Sequence, residues 1–187
     1  MINPEVNSLR PCIVRDEWAR TAALSLLKKY QISHPPVQVE NIIRQEGVRI
    51  EHHDLEDVDY PVSFCQGEKY VISIPITGDN DWDRFFLARE FGNIILGHYR
   101  TYKIDTLEKD VLRDSERAIL ENEAVLFAEE LLLPSKWIGR YISLPLDMAQ
   151  ARKLKSVFGV PWSLVYSKLK RMGLIKPEAL CPSATHG

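Results

Sequence analysis

The chain has 187 residues, 45% of them hydrophobic and 27% charged, with a net charge of −2; this suits one domain with a sizeable core and argues against a general nucleic-acid binder, which is basic overall. Three widely spaced cysteines, Cys12, Cys65 and Cys181, form no Cys-x-x-Cys pair, so neither a disulfide framework nor a zinc knuckle is indicated. The first residues lack the apolar core of a secretion signal and no run approaches the roughly 20 apolar residues that span a bilayer, so a reduced, soluble, cytoplasmic protein is expected.

Residues 1–14 read as an irregular lead-in. Residues 15–30 carry apolar side chains at helical spacing (Ala19, Ala22, Leu26, Leu27), and Lys28 and Lys29 suit the C-terminal end of a helix. His34-Pro35-Pro36 breaks the pattern. A short helix over 39–45 ends at Gly47, and a strand follows over 48–53. His52 and His53 are adjacent, so a strand sends them to opposite faces and they share no metal. Residues 54–60 are acidic and loop-like, and 61–66 and 69–74 flank Gly67-Glu68 as a β-hairpin.

Residues 81–98, DWDRFFLAREFGNIILGH, predict the central helix. Phe85, Leu87, Ala88, Phe91, Ile94 and Ile95 recur at steps of three and four. Asp81 and Asp83 suit its N-terminal end, and Gly97 is placed to stop it. The stretch also reads as an altered metal motif. In His-Glu-x-x-His the two histidines lie about 40° apart around the axis, close enough to reach one zinc ion, and the glutamate between them polarises the attacking water. Here those positions read Arg89-Glu90-Phe91-Gly92-Asn93. The glutamate is kept and both imidazoles are gone. Arginine cannot lose its proton to bind zinc, and asparagine offers a carbonyl oxygen suited to harder cations.

Residues 100–116 are charged, with little apolar pattern, and read as a loop. Residues 121–134, ENEAVLFAEELLLP, predict a second buried helix. A short helix over 135–141 follows, then a pair over 145–158 and 161–172 separated by Gly159-Val160-Pro161. Lys153, Lys155, Lys168, Lys170 and Arg171 give that pair some basic charge, as a DNA-reading unit would have. Helices of this length more commonly cover a core. Residues 176–187 read as a frayed tail.

The two motif stretches resemble the ImmA/IrrE family of metallopeptidases, whose helices read R-F-x-x-A-H-E-x-G-H-x-x-L-G-H and E-x-x-A-N-x-F-A-x-x-L-L-x-P. The first is matched at Arg84, Phe85, Ala88, Glu90, Gly92, Leu96, Gly97 and His98. The second is matched at Glu121, Ala124, Phe127, Ala128, Leu131, Leu132 and Pro134. The resemblance implies an α+β, zincin-like domain over residues 1–175, mostly helical, with a small sheet before the motif helix and the C-terminal pair (145–173) inside it. It implies that 69–74 borders a cleft that holds extended peptide, and that intact members use zinc to cut helix-turn-helix repressors. By the motif, Arg89, Asn93 and Glu121 occupy the metal-ligand positions and Glu90 the general base, with Glu123 a poorer candidate for the third ligand. The family's asparagine one turn later is Val125 here.

Two hard carboxylates alone give zinc too few ligands, so no cofactor is expected. His98 lies five residues past Asn93, about 140° round an ideal helix and beyond the expected helix end, and does not replace a ligand. Without a cation, Glu90 and Glu121 would repel across the cleft. Arg89 is therefore expected to form an ion pair with Glu121, with Asn93 hydrogen-bonding nearby. The expected function is a catalytically impaired relative that binds a protein or peptide, such as a helix-turn-helix repressor, in a regulatory role. The alternatives are an active endopeptidase with a non-standard metal site and a DNA-binding regulator using the C-terminal helices.

Overall fold

In the computed structural model, which describes residues 10–54, 60–67, 69–106 and 112–175, the chain begins with α1 (Asp16–Lys29), α2 (Val39–Gln45) and β1 (Arg49–His53). The hairpin β2 (Val62–Gln66) and β3 (Lys69–Pro75) leads to α3 (Asn80–Ile95), α4 (His98–Tyr102) and α5 (Asp114–Leu132). The one-turn α6 (Ser135–Ile138) and the pair α7 (Met148–Phe158) and α8 (Trp162–Arg171) complete it. The fold is α+β and mostly helical. The expected tail over 176–187, with Cys181, lies outside the described residues, as do parts of both expected loops, 55–59 and 107–111.

The described strands form one sheet in the order β1-β3-β2, with β1 parallel and β2 antiparallel to β3. β3 is thus the middle strand. Its Val71, Ile72 and Ile74 are buried, as a strand with neighbours on both edges requires. The expectation that 69–74 borders the cleft is corrected, because β2 is the strand on that side. An antiparallel bridge from Phe64 to Thr106 continues pairing beyond β2.

α3 packs against the hairpin strands on one side and α5 on the other, and α1 covers α5. The Asp79 carboxylate starts α3 by accepting from the N–H groups of Asp81 (2.9 Å) and Trp82 (3.3 Å). Leu87, Ala88 and Phe91 bury its apolar face, and the Phe91 and Phe127 rings meet edge-on across the α3–α5 contact at 6.0 Å. Gly92 allows this approach: a β-carbon there would lie 2.9 Å from the Phe127 ring and 3.2 Å from the Ala124 carbonyl oxygen. Gly92→Ala is therefore expected to cost about 1–3 kcal/mol, despite alanine's better helix propensity, because the two helices must spread. Urea unfolding measures this; an unchanged or raised midpoint would refute it.

α5 begins at Asp114, seven residues before the motif stretch, with the Glu116 carboxylate accepting from the Arg113 N–H at 3.1 Å. Residues 100–102, the start of the expected loop, likewise belong to a helical turn, α4. Arg84 ties α3 to the C-terminal pair: its guanidinium donates to the Phe158 carbonyl (3.0 Å), the Gly159 carbonyl and the Val37 carbonyl (2.7 Å).

Candidate functional site

α3, α5 and β2 enclose a cleft of about 750 Å³. Arg89, Glu90 and Asn93 enter it from α3, Ser63 from β2, and Arg117 and Glu121 from α5. All four motif positions therefore reach one cavity. Its apolar wall comes from Pro61, Val62, Leu112, Leu120, Ala124 and Val125.

Arg89 does not pair with Glu121. It pairs with its neighbour Glu90, with Nη2 2.8 Å and Nε 3.1 Å from Oε1. The expected Arg89–Glu121 ion pair is corrected. Glu121 is solvent-exposed, so its charge is held in water and does not need a cation. Glu90 is buried and does need one, and the adjacent guanidinium is within reach. The other Glu90 oxygen accepts from Ser63 Oγ at 2.7 Å and from Asn93 Nδ2 at 3.3 Å. The Tyr99 hydroxyl donates to the Ser63 carbonyl at 2.6 Å, and burial pushes its phenol above the usual range.

His98 has a place in the site that the sequence reading did not assign. Gly97 adopts a left-handed φ of +66°, which breaks the line of α3 and starts α4. That kink turns the His98 ring back into the core, fully buried. Its Nδ1 lies 3.0 Å from Asn93 Oδ1 and its Nε2 3.0 Å from Glu123 Oε2. Glu123, also fully buried, accepts from the Arg15 backbone N–H (2.9 Å), Nε (2.8 Å) and Nη2 (2.8 Å). A continuous polar chain thus runs from Arg89 through Glu90, Asn93, His98 and Glu123 to Arg15.

Burial pushes the Glu123 carboxyl upward, but the Arg15 and His98 hydrogen bonds outweigh it and hold the group at about 2. Burial pushes the His98 imidazole below its usual range, against the pull of Glu123. A neutral His98 therefore donates from Nε2 to the ionised Glu123.

These residues do not fit a zinc ion. Arg89 is a permanent cation, Asn93 is a poor donor, and both His98 nitrogens face partners. Among the described residues no group of three or more His, Cys, Asp or Glu side chains is placed to hold a metal.

The C-terminal helices are joined to the domain by a second buried charge cluster. Lys168 Nζ reaches Glu130 Oε2 at 2.5 Å and Glu129 Oε1 at 3.5 Å, and Arg171 Nη2 reaches Glu129 Oε2 at 3.0 Å. Arg20 joins from α1, 3.1 Å from Glu130. Lys155 pairs with Asp81 at 2.5 Å. Of the five cations that suggested a DNA-reading face, Lys168 is buried, while Lys155 and Arg171 stay at the surface and pair with carboxylates of the same chain.

Among the described residues no helix is long and apolar enough to cross a membrane. No family model and no curated protein matches the chain. A solved Mycobacterium tuberculosis transcriptional regulator is similar in structure, with a TM-score of 0.61 and 15% sequence identity, over 82% of this chain and 46% of that one. The chain thus spans less than half the length of that regulator, and at this identity the likeness shows a shared fold alone.

Proposed function

We propose that this protein is a zincin-like relative of the ImmA/IrrE metallopeptidases that has lost catalysis and acts in regulation by binding a protein or peptide in the α3–α5–β2 cleft, with a helix-turn-helix repressor as the candidate partner. The state of Glu90 carries this reading. A general base must take a proton from an activated water. Here one Glu90 oxygen faces a permanent cation and the other accepts from Ser63 and Asn93. The side chains at the two histidine positions cannot supply a Lewis acid to activate that water. The cleft itself is kept, with an apolar wall and an exposed acid, and these are features of a binding surface.

The test combines metal content with a cleavage assay. Purified protein supplied with zinc and passed through a desalting column is expected to retain well under one equivalent by plasma mass spectrometry. A helix-turn-helix repressor encoded beside its gene is expected to bind in calorimetry and remain uncut. One equivalent of tightly held zinc together with repressor cleavage would establish the alternative, a working endopeptidase with a non-standard site. For the DNA-binding alternative the signature is steeply salt-dependent binding to a duplex; the burial of Lys168 against Glu130 speaks against it.

A further inference from the structure

We propose that the cleft takes a helical segment of its partner, presenting an apolar face with a flanking lysine or arginine, rather than an extended peptide. This deepens the reading of the cleft as a protein-binding site and rests on it.

An extended peptide would have to add to the outer edge of β2, because β3 covers the inner edge. In an antiparallel pair, alternate residues turn their backbone groups outward. On β2 and the residue before it these are Pro61, Ser63 and Cys65. The Cys65 N–H already donates to the Asp105 carbonyl at 2.7 Å. The Ser63 carbonyl accepts from the Tyr99 hydroxyl at 2.6 Å, and Pro61 has no N–H to give. Among the described residues this leaves only the Ser63 N–H to meet about one peptide residue, whereas strand addition draws its affinity from a ladder of such bonds.

Side-chain recognition is not limited in this way. The cleft is wide enough for several side chains and is walled by Val62, Leu112, Leu120, Ala124 and Val125. A helix brings apolar side chains to such a groove at i, i+4 and i+7 while satisfying its own backbone. Charge sets the flanking residue. Of the two acids in the cleft, Glu90 is matched by Arg89. Glu121 is exposed and forms no ion pair with the described residues, so it is the acid left to meet a cation from the partner. Arg117, one turn earlier, donates to the Leu112 carbonyl at 3.5 Å.

The experiment selects two displayed peptide libraries against the full-length protein. One library is hydrocarbon-stapled helices randomised along one face; the other is linear peptides of equal length, broken by proline so that they stay extended. Val125→Arg, which fills the cleft, serves as the counter-target, and circular dichroism checks its fold. The proposal expects helices with apolar residues four apart and a Lys or Arg to be enriched on wild type but not on Val125→Arg. It further expects Glu121→Lys to reverse the selected charge to Asp or Glu and to weaken the original winners by roughly tenfold. Cleft-dependent enrichment of the extended library alone would overturn the helical mode while leaving the cleft a peptide site. Helices without a charge preference would overturn the assignment to Glu121. If neither library distinguishes wild type from Val125→Arg, both this inference and the binding function fall.

Discussion

Glu123→Ala is expected to be among the most damaging single substitutions in the chain, lowering stability by about 3–5 kcal/mol. The carboxylate is fully buried and takes three donors from Arg15 and one from His98. Its removal leaves the His98 Nε2–H buried without its acceptor and takes the partner carboxylate from the part-buried Arg15 guanidinium, and leaving buried donors unmet costs more than the bonds themselves contribute. Glu121→Ala, two residues earlier on the same helix but in water, is expected to change stability by no more than about 0.5 kcal/mol. Urea unfolding of the two variants side by side separates them. Equal effects would mean that the buried chain of polar groups does not hold α1, α4 and α5 together.

The same carboxylate gives the fold an acid limb. Its pKa is about 2 when folded against 4.5 as the ordinary value. A depressed carboxyl contributes stability above its unfolded value and loses it as the pH falls towards the folded one. The contribution is therefore full above about pH 5 and disappears between 4.5 and 2, amounting to about 3 kcal/mol. His98 acts in the same direction at higher pH: its folded value is lowered, so the unfolded chain binds the proton more readily and stability begins to fall as the pH drops through the usual histidine range. In Glu123→Gln the low-pH part of this slope should vanish, while the histidine part remains.

Periodicity made most elements legible. α1, α2, the hairpin, α3 and the C-terminal pair all fall within a few residues of where apolar spacing, prolines and glycines place them. The place of β3 in the sheet was hidden, because strand order depends on which strands meet and a single strand's pattern does not record it. In the candidate site, the convergence of Arg89, Glu90, Asn93 and Glu121 was legible from helix geometry and the motif. The pairing of Arg89 was not, because it depends on burial: Glu90 is inside and Glu121 outside, and both look alike in a sequence. That His98 lies past the helix end was legible from Gly97, but where the ring goes after the turn was not. A glycine flanked by Leu96 and His98 was the available signal, since a left-handed residue redirects whatever follows it. The partners of Glu123 and Lys168 lie 108 and 38 residues away, beyond any local pattern.

Restoring both imidazoles, Arg89→His with Asn93→His, is expected to create a zinc site in the α3–α5 cleft. The two side chains sit four residues apart on α3 and both already face the cleft, so histidines there would point at one volume. Glu121 lines the same cleft and is free of ion pairs among the described residues, which leaves it able to complete a His₂Glu set. Loss of Arg89 also releases Glu90 from its guanidinium. The double variant should retain about one equivalent of zinc after desalting, with each single variant retaining far less, because one histidine and one carboxylate make a weak site. Binding to the folded state alone should also raise its stability with zinc concentration, by about 2.7 kcal/mol at a hundred times the dissociation constant, with no such shift in the parent. Asn93 is nearly buried against His98, so the larger ring has some strain to overcome, and the zinc-free double variant should melt below the parent. A folded double variant that ignores zinc would mean that the α3–α5 geometry is not that of a metallopeptidase, and the kinship proposed for this chain would fall with it. A gain of zinc would instead place the loss of catalysis in two side chains on an otherwise competent scaffold.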